Sequence, residues 1–378
     1  MITLLRKWGP QTKANLARHG RMGWATVVKV INQLTDDGLV LQTGTTDDTP
    51  RSRANLYGLR SDRPLAVGID VEYKTTRLVL TNLAGAVLGA TMHPTPVDPD
   101  SGDTARFFEG ALSEFCTEHD IDSSDLAGVG IGIPGIGFPT RSRKENESEA
   151  RKLEEVLSAR FDTLVRIGTN THSYAAFEKW SNETFASSDF VFVSIRTGLG
   201  TGIFQNGQLY LGVHGLAGEV GHMKVGHGAL CRCGAYGCLE AVVNQRHLAE
   251  RYRHEVLGDP SWCSDDDPRC LHAGLSDLFS RAAEGESAAR EIIDAFARYL
   301  GIGIAHLIIV LDITNILISG HFGPDGDSVI PLLREVVSAE LLPDIDFDLR
   351  YVPLDPTGHT MGAALLVLRD FFVDIPTH

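Results

Sequence analysis

The sequence, 378 residues long, predicts an α/β protein: a small helix-rich head followed by a body of two α/β lobes. Three observations carry this. Apolar residues recur at helical spacing up to Gly38 and then give way to two short strand-like runs. After residue 64, short apolar runs alternate with amphipathic stretches, the pattern of strands and helices layered together. Near Phe190 that alternation starts again as a second, similar half. The expected boundaries are 1–60 for the head, 64–180 for the first lobe and 181–378 for the second.

In the head, Ile2, Leu4 and Leu5 make a short apolar stripe that Gly9-Pro10 ends. Thr12 is placed to cap a helix through about His19, with Leu16 and Ala17 facing inward. Gly20 to Gly23 form a turn. Trp24 to Asp37 is the next helix, with Val27, Val28, Ile31 and Leu34 on one face and Gly38 as its stop. Strands at Leu39–Leu41 and Ala54–Tyr57 flank the polar stretch Thr43–Ser52. Helix, helix, turn, helix and hairpin make a winged helix-turn-helix pattern; the plainer alternative is a helical subdomain of an enzyme. Candidates for DNA contact are Arg21, Thr26 and Lys29 on or beside the second helix of the motif. Arg51 and Arg53 join them at the hairpin tip, where Asp47 and Asp48 count against a tight wing contact.

In the first lobe, strands are expected at Leu65–Asp70, Thr76–Thr81, Val87–Met92, Gly128–Ile133 and Val165–Gly168, with helices at Thr104–His119, Ala150–Phe161 and Asn170–Trp180. The second lobe opens with strands Phe190–Ile195 and Gly202–Phe204. Helices follow at Ala241–Val256 and Ala288–Leu311, then strand Asn315–Ser319, helix Val329–Glu340, strand Leu349–Pro353 and helix Thr360–Phe372. The acidic stretch Asp259–His272, with Cys263 and Cys270, is expected to be a solvated loop.

Charge divides the chain. Residues 1–63 hold ten Lys/Arg against five Asp/Glu, whereas the remainder holds 24 against 44, so only the head suits a polyanion. No stretch has the form of an export signal. The longest apolar run, Leu300–Ser319, is interrupted by His306, Asp312 and Asn315, which are costly at a bilayer centre, so a buried helix leading into a buried strand is expected. These features predict a cytoplasmic protein without a membrane partner.

Of six cysteines, three are bunched at Cys231, Cys233 and Cys238, close behind Gly218-Glu219-Val220-Gly221-His222. One imidazole and three thiolates match the tetrahedral preference of a structural zinc, Zn2+, and four protein ligands leave no open position for hydrolysis. Free thiols are the alternative.

The segment Glu219-Val220-Gly221-His222 followed by Cys231-Arg232-Cys233-Gly234-Ala235-Tyr236-Gly237-Cys238-Leu239-Glu240 resembles the ROK family of bacterial repressors and sugar kinases. The loop between His222 and Cys231 is one residue shorter than the usual form. The resemblance extends to the winged head, to Gly130–Gly135, to Thr197–Gly202 and to Met361–Ala364, so it spans nearly the whole chain. It implies an actin-like, ribonuclease-H-like ATPase-type body with sugar held between lobes. It further implies sugar contacts from Asn170, Glu219, His222 and Glu240, and a homodimer or homotetramer. A bracing role around the zinc loop is the alternative for the same side chains.

Kinases of that family carry Asp-x-Gly-Gly-Thr at the first strand turn, where this chain has Asp70-Val71-Glu72-Tyr73-Lys74. Glu72 and Tyr73 add charge and bulk where glycine amides would approach phosphate. The kinases' Asn-Asp is Asn170-Thr171 here, and a threonine hydroxyl is no general base near neutral pH. The later glycine pair stands as Gly320-His321-Phe322-Gly323. The expectation is therefore a kinase-inactive, sugar-responsive transcription factor, a repressor of carbohydrate genes that binds double-stranded operator DNA. A sugar kinase with an accessory head, a ligand-independent regulator and a zinc-stabilised scaffold are the alternatives.

Overall fold

The structure, a computed structural model, describes all residues except 47–52, 64, 73–74, 96–102, 135–142, 182–187, 227, 263–267, 323–326 and 374–378. The head begins with α1 (Ile2–Trp8), a two-residue strand β1 (Gln11–Thr12) and α2 (Lys13–Gly20). Thr12 caps α2 as expected, its hydroxyl accepting from the Asn15 N–H at 3.1 Å. Arg21 ends α2 in the left-handed region, φ 50°. α3 (Trp24–Asp36) turns Val27, Ile31 and Leu34 inward, and strands β2 (Val40–Thr45) and β3 (Asn55–Leu59) close the hairpin. The short β1 adds to β3, giving an antiparallel sheet in the order β1-β3-β2. Leu5, Leu16, Val27, Ile31, Leu34 and Val40 are all buried in the head. Three helices with a three-stranded sheet are the winged arrangement that the residue pattern predicts.

The chain divides into two compact units, Met1–Ser173 with Thr357–His378, and Tyr174–Pro356. The first holds β4 (Leu65–Val71), β5 (Thr75–Asn82), β6 (Val87–Pro94), α4 (Asp103–Glu118), β7 (Leu126–Ile133), α5 (Arg143–Phe161) and β8 (Val165–Thr169). α6 (Asn170–Ser181) begins in it and runs into the second unit. The sheet order is β6-β5-β4-β7-β8, with β4 antiparallel to β5 and parallel to β7. Every residue of β4 is buried, which is why its sequence is an apolar run interrupted only by Asp70 rather than an alternation.

The second unit repeats this plan. Its strands are β9 (Phe190–Ile195), β10 (Leu199–Gln205), β11 (Gln208–Leu209), β12 (Asn315–Gly320) and β13 (Asp348–Tyr351), in the order β11-β10-β9-β12-β13. Its helices are α7 (Leu239–Val243), α8 (Gln245–Arg251), α9 (Pro268–Glu284), α10 (Ser287–Leu311) and α11 (Ile330–Glu340). α10 is long and apolar enough to cross a membrane, but Ile292, Phe296, Leu300 and Ile304 are at most 1% exposed within this unit's core.

Three expectations are corrected. The single helix expected over Ala241–Val256 is broken at Asn244, whose side chain accepts from the His247 N–H at 2.9 Å and so starts α8 anew; a π-helical turn over Tyr252–Leu257 follows. The solvated loop expected over Asp259–His272 ends early, because Pro268 starts α9; Cys263 lies outside the described residues, as does the Cys270 side chain. Leu271, Leu275, Leu278, Phe279 and Ala282 give α9 a buried face at helical spacing.

The second lobe also does not run to residue 378. The last helix, α12 (Pro356–Val373), belongs with the first unit. A Cβ on Gly68 would stand 2.1 Å from the Thr360 carbonyl oxygen, and one on Gly130 1.8 Å from that of Ala363. These glycines let α12 press backbone to backbone on β4 and β7.

Candidate functional site

The loop between β11 and α7 builds the most organised polar cluster described. Backbone bonds from Leu239 N to Met223 O and from Val225 N to Gly237 O bring its two ends side by side, and Cys231 N to Ala235 O closes a tight turn. Gly237, at φ 76°, would place a Cβ 1.9 Å from the Gly226 carbonyl oxygen, so no side chain fits there. The outcome is that the ligand atoms of His222, Cys231, Cys233 and Cys238 all lie within 4.8 Å of one another.

The geometry fits a tetrahedral cation. Sulfur ligands at zinc-like distances stand about 3.8 Å apart along a tetrahedral edge. Here Cys233 Sγ and Cys238 Sγ are 3.7 Å apart, and Cys231 Sγ and His222 Nδ1 are 3.8 Å apart. Burial pushes the Cys231 thiol up to about 12, so gathering thiolates here calls for positive charge. Lys224 supplies part of it: its Nζ donates to Cys238 Sγ at 3.1 Å and to the Tyr236 carbonyl at 2.7 Å. His222 presents Nδ1 to the cluster and Nε2 to Glu219 Oε2 at 3.7 Å, the arrangement that orients a metal-bound imidazole.

Glu240 faces the cluster from α7 and is 3% exposed. Its Oε2 accepts from the Leu199 N–H at 2.9 Å, and its Oε1 accepts from Arg232 Nε at 3.1 Å. Gly198 makes room for both: a Cβ there would fall 2.7 Å from the Arg232 guanidinium and 2.8 Å from Glu240 Oε2. The glycine-rich run Thr197–Gly202 thus serves the start of β10 and the seating of Glu240. Glu219 follows Gly218, whose φ of 92° and carbonyl bond to the Thr201 hydroxyl at 2.6 Å fix the turn before it.

The second unit therefore brings Glu219, His222 and Glu240 together around the cysteines. Asn170 belongs to the first unit, where α6 begins and its Nδ2 donates to the Val71 carbonyl at 3.4 Å. Lys224 and Arg232 are participants that sequence reasoning missed. Arg232 stands between two cysteine ligands, a position that could have singled it out.

On the head, Arg21, Thr26 and Lys29 are all exposed at the turn and along α3. Arg53 is exposed just before β3, and Arg51 lies outside the described residues. α3 has no acidic residue in its first turn.

Known proteins share this organisation. The chain is 24% identical over 345 residues to the DNA-binding transcriptional dual regulator NagC of Escherichia coli K12, covering 90% of this chain and 84% of that one. It is 28% identical over 323 residues to a glucokinase of Halalkalibacterium halodurans, covering 80% of this chain and 94% of the enzyme. Its fold matches the crystal structure of a ROK family transcriptional regulator, a homolog of the E. coli MLC protein, with a TM-score of 0.79 at 23% identity over 98% of this chain and 95% of that one. The sequence profile of the ROK family matches residues 66–370. Profile and fold agree over most of the chain, and the protein belongs to the ROK family.

Proposed function

We propose that this ROK protein is a sugar-responsive transcriptional repressor of carbohydrate genes that works in the cytoplasm, holds one structural zinc and does not phosphorylate sugar. The observation that carries the reading is the winged head, which exposes Arg21, Thr26 and Lys29 on a segment rich in base. The similarity to the glucokinase spans only 80% of this chain, against 90% for NagC. Regulators such as NagC support the same reading.

Zinc, when bound by His222, Cys231, Cys233 and Cys238, is a closed structural crosslink with no open position for chemistry. Sugar or sugar phosphate is recognised by Asn170, Glu219, His222 and Glu240, whose carboxylates, amide and imidazole match polyhydroxyl ligands. Glu72 and Thr171 stand where phosphoryl transfer needs a phosphate cradle and a base, and loss of the base alone costs about 10²–10⁴-fold. One short recognition helix makes few base contacts, so two heads of a homodimer or homotetramer bind an inverted-repeat operator.

The test is selection of duplexes by the full-length protein, then titration with and without a panel of sugars. Arg21→Ala, Lys29→Ala and the double change at Arg51 and Arg53 weaken binding, and the salt slope flattens for those that touch phosphate. Equal binding by a chain lacking residues 1–60, or hexose phosphorylation at about 1 s⁻¹ or faster, overturns the reading.

A further inference from the structure

Trp24, the first residue of α3, is 59% exposed. Ala25 and Thr26 beside it are exposed as well, and Trp24 overhangs the N-terminal end of the stripe on which Val27, Ile31 and Leu34 are at most 1% exposed. An indole left in water at this position forfeits the burial that makes tryptophan worth having. Its surroundings narrow the occupant. The first 35 residues contain Arg6, Lys7, Lys13, Arg18, Arg21 and Lys29 and no acidic residue at all, so the ledge sits in a field that draws a polyanion.

A DNA duplex is a polyanion with one apolar group on its base edges, the 5-methyl group of thymine, which projects into the major groove. The minor groove offers none. The residues at the start of a recognition helix are also those that reach base edges. We infer that Trp24 and Ala25 form an apolar ledge that packs on a thymine methyl in each operator half-site, making Trp24 a specificity-determining residue. This inference rests on the DNA-binding reading above. Lys29, one turn along the same exposed face from Ala25, anchors the helix while the ledge discriminates.

Burial of one methyl corresponds to about a fourfold change in binding, and two half-sites to about 16-fold. The experiment uses the full-length protein and a duplex it selects from a random pool. Each thymine is replaced in turn by deoxyuridine, which removes the methyl and nothing else. The expected result is a loss of about fourfold at one thymine in each half-site, and about 16-fold when both are changed. Trp24→Ala, whose melting curve should match the wild type because the side chain is exposed, binds thymine and uracil duplexes equally. Trp8→Ala is the control: that indole is half-exposed on α1, edge-on to His19, and the variant keeps the full thymine preference. A wild-type protein indifferent to every deoxyuridine substitution overturns the ledge and leaves DNA binding standing. A Trp24→Ala variant that still discriminates also overturns it. If no duplex is selected at all, the DNA-binding reading itself fails and the ledge falls with it.

Discussion

Glu240 offers a sharp test, because the structure gives it a bracing task that the sugar-binding expectation does not need. In Glu240→Ala the Leu199 N–H loses its acceptor in a buried position, which costs about 1–3 kcal/mol. Truncation strands a void and removes a methylene, a further ~1–2 kcal/mol. The Arg232 pair adds less than about 1 kcal/mol, since that guanidinium side chain is 43% exposed and screened. Together these give roughly 2–6 kcal/mol. At about 2–4 °C per kcal/mol for a unit of this size, the variant should melt roughly 4–24 °C lower. Glu240→Gln keeps a carbonyl for Leu199 but turns an amide towards Arg232, so it should lose only about 1–2 kcal/mol. Differential scanning calorimetry on metal-replete protein reads both. If Glu240→Ala melts within a degree of wild type, the bracing argument is wrong. For the proposed sugar response, Glu219, 38% exposed, is the cleaner handle, because its removal should leave the melting temperature nearly unchanged.

Metal analysis of protein purified without chelator should find one zinc per chain, and Cys231→Ser should lose it; folded wild-type protein devoid of metal would refute the site. Burial, reinforced by the charge of Asp355, raises the Glu178 carboxyl to about 7. Its folded pKa lies above the unfolded one, so the folded state holds the extra proton and stability falls as pH rises from about 4.5 to 7. Glu178→Gln should therefore melt higher than wild type at pH 8, by up to roughly 3 kcal/mol, and the gap should close by pH 4. Arg21 holds a left-handed backbone at φ 50°, so Arg21→Gly should leave the head as stable or raise it by up to about 1 kcal/mol while operator affinity drops. Calorimetry beside a binding titration separates the two effects, and a lowered melting temperature would count against the strain.

The His/Cys cluster was legible in the sequence because His222, Cys231, Cys233 and Cys238 are close neighbours along the chain, and the glycines between them fix the turns that fold them together. The winged head was legible for a related reason: Thr12, Gly38 and the spacing of Val27, Ile31 and Leu34 are local signals of caps and faces. What the sequence concealed depends on distant partners. The glycines of β4 and β7 announce a close approach, but nothing in them names a helix about 230 to 290 residues away. Asn244 looks like any polar residue in a helical run until its side chain is seen capping the next helix. The acid-rich stretch before Pro268 masked the start of α9, whose apolar face becomes plain only against α10. Lys224 and Arg232 are ordinary surface cations until the loop is folded.

The placement of α12 has a consequence for how the protein is made. Synthesis runs from the N-terminus, so β4 and β7 exist long before the helix that covers them, and the whole second unit must be translated in between. Ala363, Ala364 and Val367, all fully buried, arrive only after the whole second unit. A nascent chain therefore carries an open, glycine-smoothed sheet face through most of its synthesis, a surface suited to chaperone capture. A ribosome that stops before Pro356 leaves that face permanently open in the unit that also contains the head. The unit that carries the head therefore completes its own packing only after the whole of the other unit has been made.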